Sequence, residues 1–321
     1  MNARKWLLVL GVALVSCVQA QDYPTRPIRM ITPWPPGGGA DIVARLVAAK
    51  MSENWGQQVL VENRSGATGT IGTDVVAKAP SDGYTLTLGT NATHVIAVSL
   101  LARMPYDQEK DLTPVTRVVA VPHVISVHPG INARTLAEFV ALAKSRPGQI
   151  SFGSAGNGST PHLAGEIFKS IAGVDLLHVP YKGTGQSLQD TLGGQVQVSF
   201  DSMPSVLSHI RSGKLRPLAI AGPRRVPALP EIPTVAEAGV PGAEGMTLYG
   251  MFGPAGLPLP IVRKLHAEVS RIVQLPDMKS RLEALGADEM ASASPEDFAA
   301  MVKSDIAKYA KVIKAAGLQQ D

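Results

Sequence analysis

Three short turns in this sequence are built almost wholly from glycine and other small residues: Pro35 to Gly39, Gly66 to Thr70, and Ser154 to Thr160. Each stands between a strand-like run and a helix-like one. Missing side chains let backbone N–H groups approach a bound group closely. A helix starting immediately afterwards adds unpaired N–H donors and the positive end of its dipole. The chemistry such turns support is reversible capture of an anion. One Gly-rich turn also arises for geometric reasons alone; three, two of them in different halves of the chain, suit an anion held from both sides. The candidate contacts are Pro36, Gly37, Gly38, Gly39 and Asp41 around the first turn and Gly66 and Ala67 on the second. On the third they are Ser154, Ala155, Gly156, Asn157, Gly158, Ser159 and Thr160.

Single residues near strand ends extend this set. Trp34 is either a packing residue beneath the first turn or an apolar wall of the site. Asp201 either selects a ligand amine or hydroxyl, or caps the turn that follows it. Tyr181 is placed to offer its hydroxyl to a carboxylate, and Asn91 ends the third strand-like run in a similar position.

Other chemistries fit less well. Gly37-Gly38-Gly39-Ala40-Asp41 lacks G-x-G-x-x-G spacing, and no turn carries the Gly-Lys-Ser/Thr of a phosphate loop. Ser154 lacks the first glycine of a G-x-S-x-G elbow. His162, close to it in sequence, is expected to face solvent or a helix cap. The remaining histidines (His94, His123, His128, His178, His209 and His266) are scattered, without H-E-x-x-H or an aligned acid, so no metal or cofactor is expected. An enzyme is the weaker expectation, with a hydrolase as its form.

These residues must be positioned by elements of an α/β protein with mostly parallel strands, because short apolar runs alternate with amphipathic ones. Ile28 to Thr32, Val59 to Glu62 and Tyr84 to Gly89 read as strands. Between the first two, a helix from about Ala40 to Met51 carries Ile42, Val43, Leu46, Val47 and Met51 on one face. Asp41 suits its positive end, with Arg45 as partner one turn on. From about residue 123 the pattern restarts with strands at Val124 to Val127, Ser151 to Gly153, Leu176 to Val179, Val196 to Phe200 and Leu218 to Ile220. Thr135-Leu136-Ala137-Glu138 is a capping box. A Pro/Gly-rich stretch from about 222 to 260 contains a strand from Met246 to Phe252. Beyond Pro258 the chain is expected to be helical to the end, with Pro295 opening the last helix and Gly317 closing it. Two lobes follow, residues 21–122 plus 245–321 and residues 123–244. The two crossings make a hinge and the ligand cleft lies between the lobes.

The ends and the composition bound the rest. Arg4 and Lys5, the apolar run Trp6 to Val15 and the small residues of Val18-Gln19-Ala20 form an export signal over residues 1–20. Leu14-Val15-Ser16-Cys17 also fits the box cut before a cysteine that receives lipid, so two maturation routes stay open. Cys17 is the only cysteine, which rules out disulfides and thiolate metal sites. Loss of Arg4 and Lys5 with the signal takes the net charge from +4 to +2, too near neutral to suggest nucleic acid.

Several segments in order resemble one family over essentially the whole mature chain. They are Thr32 to Asp41, Glu62 to Gly69, Ala79 to Tyr84, Gly153 to His162 and Val179 to Gly183. They are similar to the extracytoplasmic receptors of tripartite tricarboxylate transporters, the Bug family. The resemblance implies a type II periplasmic-binding-protein fold. It implies a small carboxylate gripped by main-chain amides and bridging waters from two loops, here Pro35 to Asp41 and Ser154 to Thr160. It also implies membrane permease components as partners and a periplasmic location. Trp34 stands where the family often has Phe, so the ligand does not carry over. Neither gripping loop contains Lys or Arg, which suits release, since an Arg fork holds a carboxylate more strongly. A monomer is expected because the cleft lies within one chain; a module that reports ligand to a sensor protein is the alternative role.

Overall fold

A computed structural model describes residues 23–287 and 289–315. The segment read as an export signal, with Cys17, and the helix-closing Gly317 lie outside them. β1 (Ile28–Thr32), β2 (Val59–Asn63) and β3 (Thr85–Thr90) run parallel in the order β2-β1-β3. They are linked through α1 (Gly39–Trp55) and α2 (Thr70–Ala77). α1 presses Val43, Val47 and Met51 onto the sheet, each four residues after the last, and ends at Gly56 with the left-handed backbone that favours glycine there. After β3 a π-helical turn (Ala92–Ile96) leads into the short α3 (Ala97–Leu100).

The sequence places a strand at Val124 to Val127, but the observed strand is four times that length. β4 spans Leu112–Val127, 16 residues. Pro114 and Pro122 disguise it, because proline withdraws a ladder donor and argues against a central strand. The structure tolerates both: the register shifts just after Pro114, and Pro122 sits where β4 changes partners. Up to Pro122, β4 pairs antiparallel with β9 (Met246–Pro254). From His123 onward it pairs with β7 (Val198–Ser202) and β8 (Arg216–Ala221).

α4 (Leu136–Ser145), β5 (Ser151–Ser154), α5 (Thr160–Ala172), β6 (Leu177–Pro180), α6 (Thr184–Leu192) and α7 (Met203–Arg211) complete the central part of the chain. Thr135 caps α4 as expected, its Oγ1 accepting from the Glu138 N–H, while the Glu138 carboxylate accepts from the Arg134 N–H. The C-terminal part is not helical throughout. Leu275, extended because it precedes Pro276, separates α8 (Leu259–Gln274) from α9 (Pro276–Ala284). The two-residue strand β10 (Glu289–Met290) pairs with β4 before α10 (Pro295–Ala315), whose Asp297 N–H bonds to Ser294 Oγ.

The result is two α/β lobes strung on one curled sheet and joined where β4 and β9 cross. One core gathers Met30, Val47, Leu86, Met251, Leu265 and Ile272. Another gathers Phe139, Phe152, Phe168 and Phe200 between β5, β7, α4 and α5. There the Phe168 and Phe152 rings stand 5.3 and 5.5 Å from Phe200. Each such ring contributes about 2–3 kcal/mol by its burial.

Candidate functional site

Four helices begin at one place. α1 starts after Gly38, α5 after Ser159, α6 after Gly183 and α7 after Ser202. Gly38, Gly39, Ser159, Thr160, Thr184 and Ser202, from these starts, line a common cavity of about 40 Å³. The first turn of a helix leaves its N–H groups without intrahelical partners and carries about half a positive charge. At three of the four starts (Gly38, Gly183 and Ser202) no side chain caps these donors. Among the described residues, no Lys or Arg lines the cavity. Its positive character therefore comes from peptide dipoles.

The remaining walls are hydroxyls, one indole, one carboxyl and the small apolar residues Pro35, Ala40, Ala155 and Pro161. Trp34 donates from Nε1 to Thr90 Oγ1 at 3.2 Å, so it is both wall and packing residue. Tyr249 reaches in from β9 and donates to Ser202 Oγ at 3.0 Å; burial holds its phenol well above the usual value. A Cβ on Gly39 would lie 2.2 Å from Tyr249 Oη and 2.7 Å from Ser202 Oγ, so only hydrogen fits there. Thr160 and Thr247 hydroxyls meet at 2.9 Å, and Thr247 meets His123 Nε2 at 2.7 Å. Burial pushes His123 down to about 3, so its ring is neutral. Asp201 lines the cavity with its carboxylate bonded to Thr184 and Ser199 hydroxyls.

The structure divides the residues singled out from sequence. Trp34, Gly38, Gly39, Ala155, Ser159, Thr160 and Asp201 line the cavity. Pro36 and Gly37 are exposed on its rim. Asp41 points away and braces the loop: it accepts from the Gly37 N–H, Arg45 Nε and Asn63 Nδ2, each at 3.0 Å. Burial opposes its charge, but these bonds outweigh it and hold the carboxyl below its ordinary value. Gly66 and Ala67 do not line the cavity; their turn carries Thr68, whose hydroxyl donates to the Asn157 carbonyl at 2.9 Å across the cleft. Asn91 bonds the backbone of Met246 and Leu248, because β3 ends at Thr90, which lines the cavity, and Asn91 already takes helical backbone. Tyr181 gives its hydroxyl to Asp190 at 2.6 Å rather than to the cavity.

Ser154, Gly156, Asn157 and Gly158 shape the second loop from behind. Ser154 Oγ accepts from the Gly156 N–H at 3.1 Å and meets His178 Nε2 at 2.7 Å. His162, expected at the surface or on a cap, is buried, and its Nδ1 accepts the Gly158 N–H at 3.1 Å. Its ring stacks on His178 at 4.2 Å. Burial pushes both down to about 4; Lys169 adds to the effect at each, while Glu166 opposes it at His178. Both are neutral near pH 7. Thr90, Thr184, Ser202, Thr247 and Tyr249 escaped the sequence reading. The helix starts after Gly183 and Ser202 carried a readable signal; the inward faces of β3 and β9 did not.

Residues 43–318 match the tripartite tricarboxylate transporter family receptor. The chain is 36% identical to the protein BugT of Bordetella pertussis, covering 99% of both. Among solved structures, R. palustris Rpa4515 with adipate superposes with a TM-score of 0.89 at 37% identity, over 92% of this chain and 98% of that one. MatC from Rhodopseudomonas palustris with bound malate gives 0.84 at 34% identity, over 91% and 100%. With a curled two-lobed sheet around a cavity ringed by helix starts, and with these likenesses over nearly its full length, the chain belongs to the receptor family of tripartite tricarboxylate transporters.

Proposed function

We propose that this protein captures a small carboxylate between its lobes outside the cytoplasm and presents it to the permease components of a tripartite transporter. The convergence of four helix N-termini on one buried cavity without a cationic side chain carries this reading. Adipate and malate in the similar proteins support a dicarboxylate as the ligand class. The lobes are taken as residues 21–122 plus 245–321 and residues 123–244, which puts α1 in one and α5, α6 and α7 in the other. A carboxylate would then touch both lobes at once and favour their closure. The Ser154–His178 contact favours no hydrolase: both groups are spent on bonds behind the loop, and neither lines the cavity. Export through residues 1–20 places the protein in the periplasm, and among the described residues no helix is long and apolar enough to cross a membrane.

The test is a thermal-shift screen of residues 21–321 against small carboxylates and their amides. A ligand at a hundred times its dissociation constant adds about 2.7 kcal/mol, a rise of several degrees in Tm. The expected result is a shift with an acid and none with its amide. Equal shifts for both, or none with any acid, would overturn the reading.

A further inference from the structure

The cavity that suits an anion also contains one. Asp201 is only 1% exposed, and its carboxyl lines the same space as the four helix starts. Thr184 Oγ1 donates to Oδ1 at 3.2 Å and Ser199 Oγ to Oδ2 at 2.9 Å. Among the described residues, no Lys or Arg lines the cavity beside it. β9 brings Tyr249, a phenol that burial keeps protonated, and β4 brings His123, a ring that burial keeps neutral. α6 and α7 bring the Thr184 and Ser202 hydroxyls, and the one carboxylate of the α1 start, Asp41, is already occupied by Arg45 and Asn63. A ligand carboxylate entering a cavity of about 40 Å³ would stand directly against Asp201. Two carboxylates at that range do not both stay ionised; one keeps a proton and the pair shares it.

We propose that Asp201 takes up one proton from solvent as a carboxylate binds, so that capture is coupled to protonation and the ligand carboxylate meets no second charge on Asp201. This rests on the carboxylate reading above. The O–H formed on Asp201 becomes a donor to the ligand, while the Thr184 and Ser199 hydroxyls remain bonded to the carboxyl. Burial already raises the empty site's carboxyl to about 6, the two hydroxyls offsetting part of the effect. Above that pH every bound carboxylate must draw a proton; well below it Asp201 is already neutral and nothing is drawn.

Isothermal titration with adipate, malate, citrate and benzoate decides the matter. It is run in phosphate, HEPES and Tris, whose ionisation heats differ. The expected result is about one proton taken up per ligand near neutral pH, with Kd rising about tenfold per pH unit above pH 6. Asp201→Asn, an uncharged donor of the same shape, binds with no proton uptake and an affinity flat in pH. Binding by the wild type without proton uptake overturns the proposal and leaves carboxylate capture standing. So does loss of acid binding in a folded Asp201→Asn, or tighter binding as pH rises. If none of the four acids binds at either end of the pH range, carboxylate capture falls and proton coupling falls with it.

Discussion

The two loops that open α1 and α5 present the same thing to the cavity, a ring of small residues before a helix, yet they are held from behind by different chemistry. The first is braced by charge: Asp41 ties the Gly37 N–H to Arg45 and Asn63, and Asn63 also donates to the Trp34 carbonyl. The second is braced by neutral rings: His162 accepts the Gly158 N–H, and His178 holds Ser154. Each loop also meets the opposite lobe. Pro35 packs on Gly183, and Asn157 and Gly158 meet Thr68 and Leu100. A shared outward geometry therefore says little about how rigidly a loop is held, or about which conditions release it.

Glycine substitutions separate the two loops most strongly. A Cβ at Gly39 collides with Tyr249 and Ser202 inside the cavity, so Gly39→Ala should weaken ligand binding about a hundredfold, about 2.7 kcal/mol, in calorimetric titration. Gly158 has a φ of +76°, and a Cβ there would lie 2.0 Å from Leu100 Cδ2. Gly158→Ala should therefore cost about 1–3 kcal/mol of stability and keep the lobes apart in small-angle scattering even at saturating ligand. Equal behaviour of the two variants would erase the distinction between cavity wall and lobe contact.

The braces come next. Asp41→Ala removes three bonds to one carboxylate, from the Gly37 N–H, Arg45 and Asn63, and should cost about 2–3 kcal/mol in urea unfolding. His162→Ala strands only the Gly158 N–H and should cost about 1–2 kcal/mol.

Acid should distinguish the braces further. His162 and His178 have folded values near 4 against 6.5 unfolded, so unfolding binds protons in that window and stability falls as pH drops from 6.5 to 4. Asp41, held below 3.8, contributes fully above that value and loses its share only beneath it. Urea midpoints over pH 6.5 to 4 should lose part of their slope in His162→Asn, since His94, His123 and His178 still contribute, and keep it in Asp41→Asn. Asp201, raised to about 6, works in the opposite sense, gaining stability as pH falls toward 3.8, so Asp201→Asn should steepen the decline.

The smallest effect is expected from Thr68→Val. It removes one bond to Asn157 across the cleft, about 1 kcal/mol, and should weaken ligand capture about fivefold with little change in the Tm of the empty protein. No change in affinity would mean that the rim contact contributes nothing to closure.

Much of this architecture was legible because its signals are local. A small residue before an amphipathic run marks a helix start, glycine at Gly38 and a capping serine at Ser159, and both were readable for that reason. What the sequence hid depends on partners far along the chain. Thr90 and Thr247 line the cavity and Asn91 does not, because the pairings of β3 and β4 with β9 set the faces of Thr90 and Thr247, while Asn91 lies past the end of β3 with helical backbone. Tyr249 enters from a strand more than 200 residues after Gly39. His162 is buried because His178 and Leu100 pack around its loop, contacts that no spacing rule contains. Trp34 and Asp201, left open between packing and function, serve both ends: each lines the cavity while bonding its neighbours.

The placement of the four helix starts has a mechanical consequence. All four place a positive helix start on one cavity. If α1 and the other three belong to different lobes, as proposed above, their starts would repel one another as the lobes meet, with the Asp201 carboxylate offsetting part of that in the empty site. A bound anion would turn the remainder into attraction from both sides.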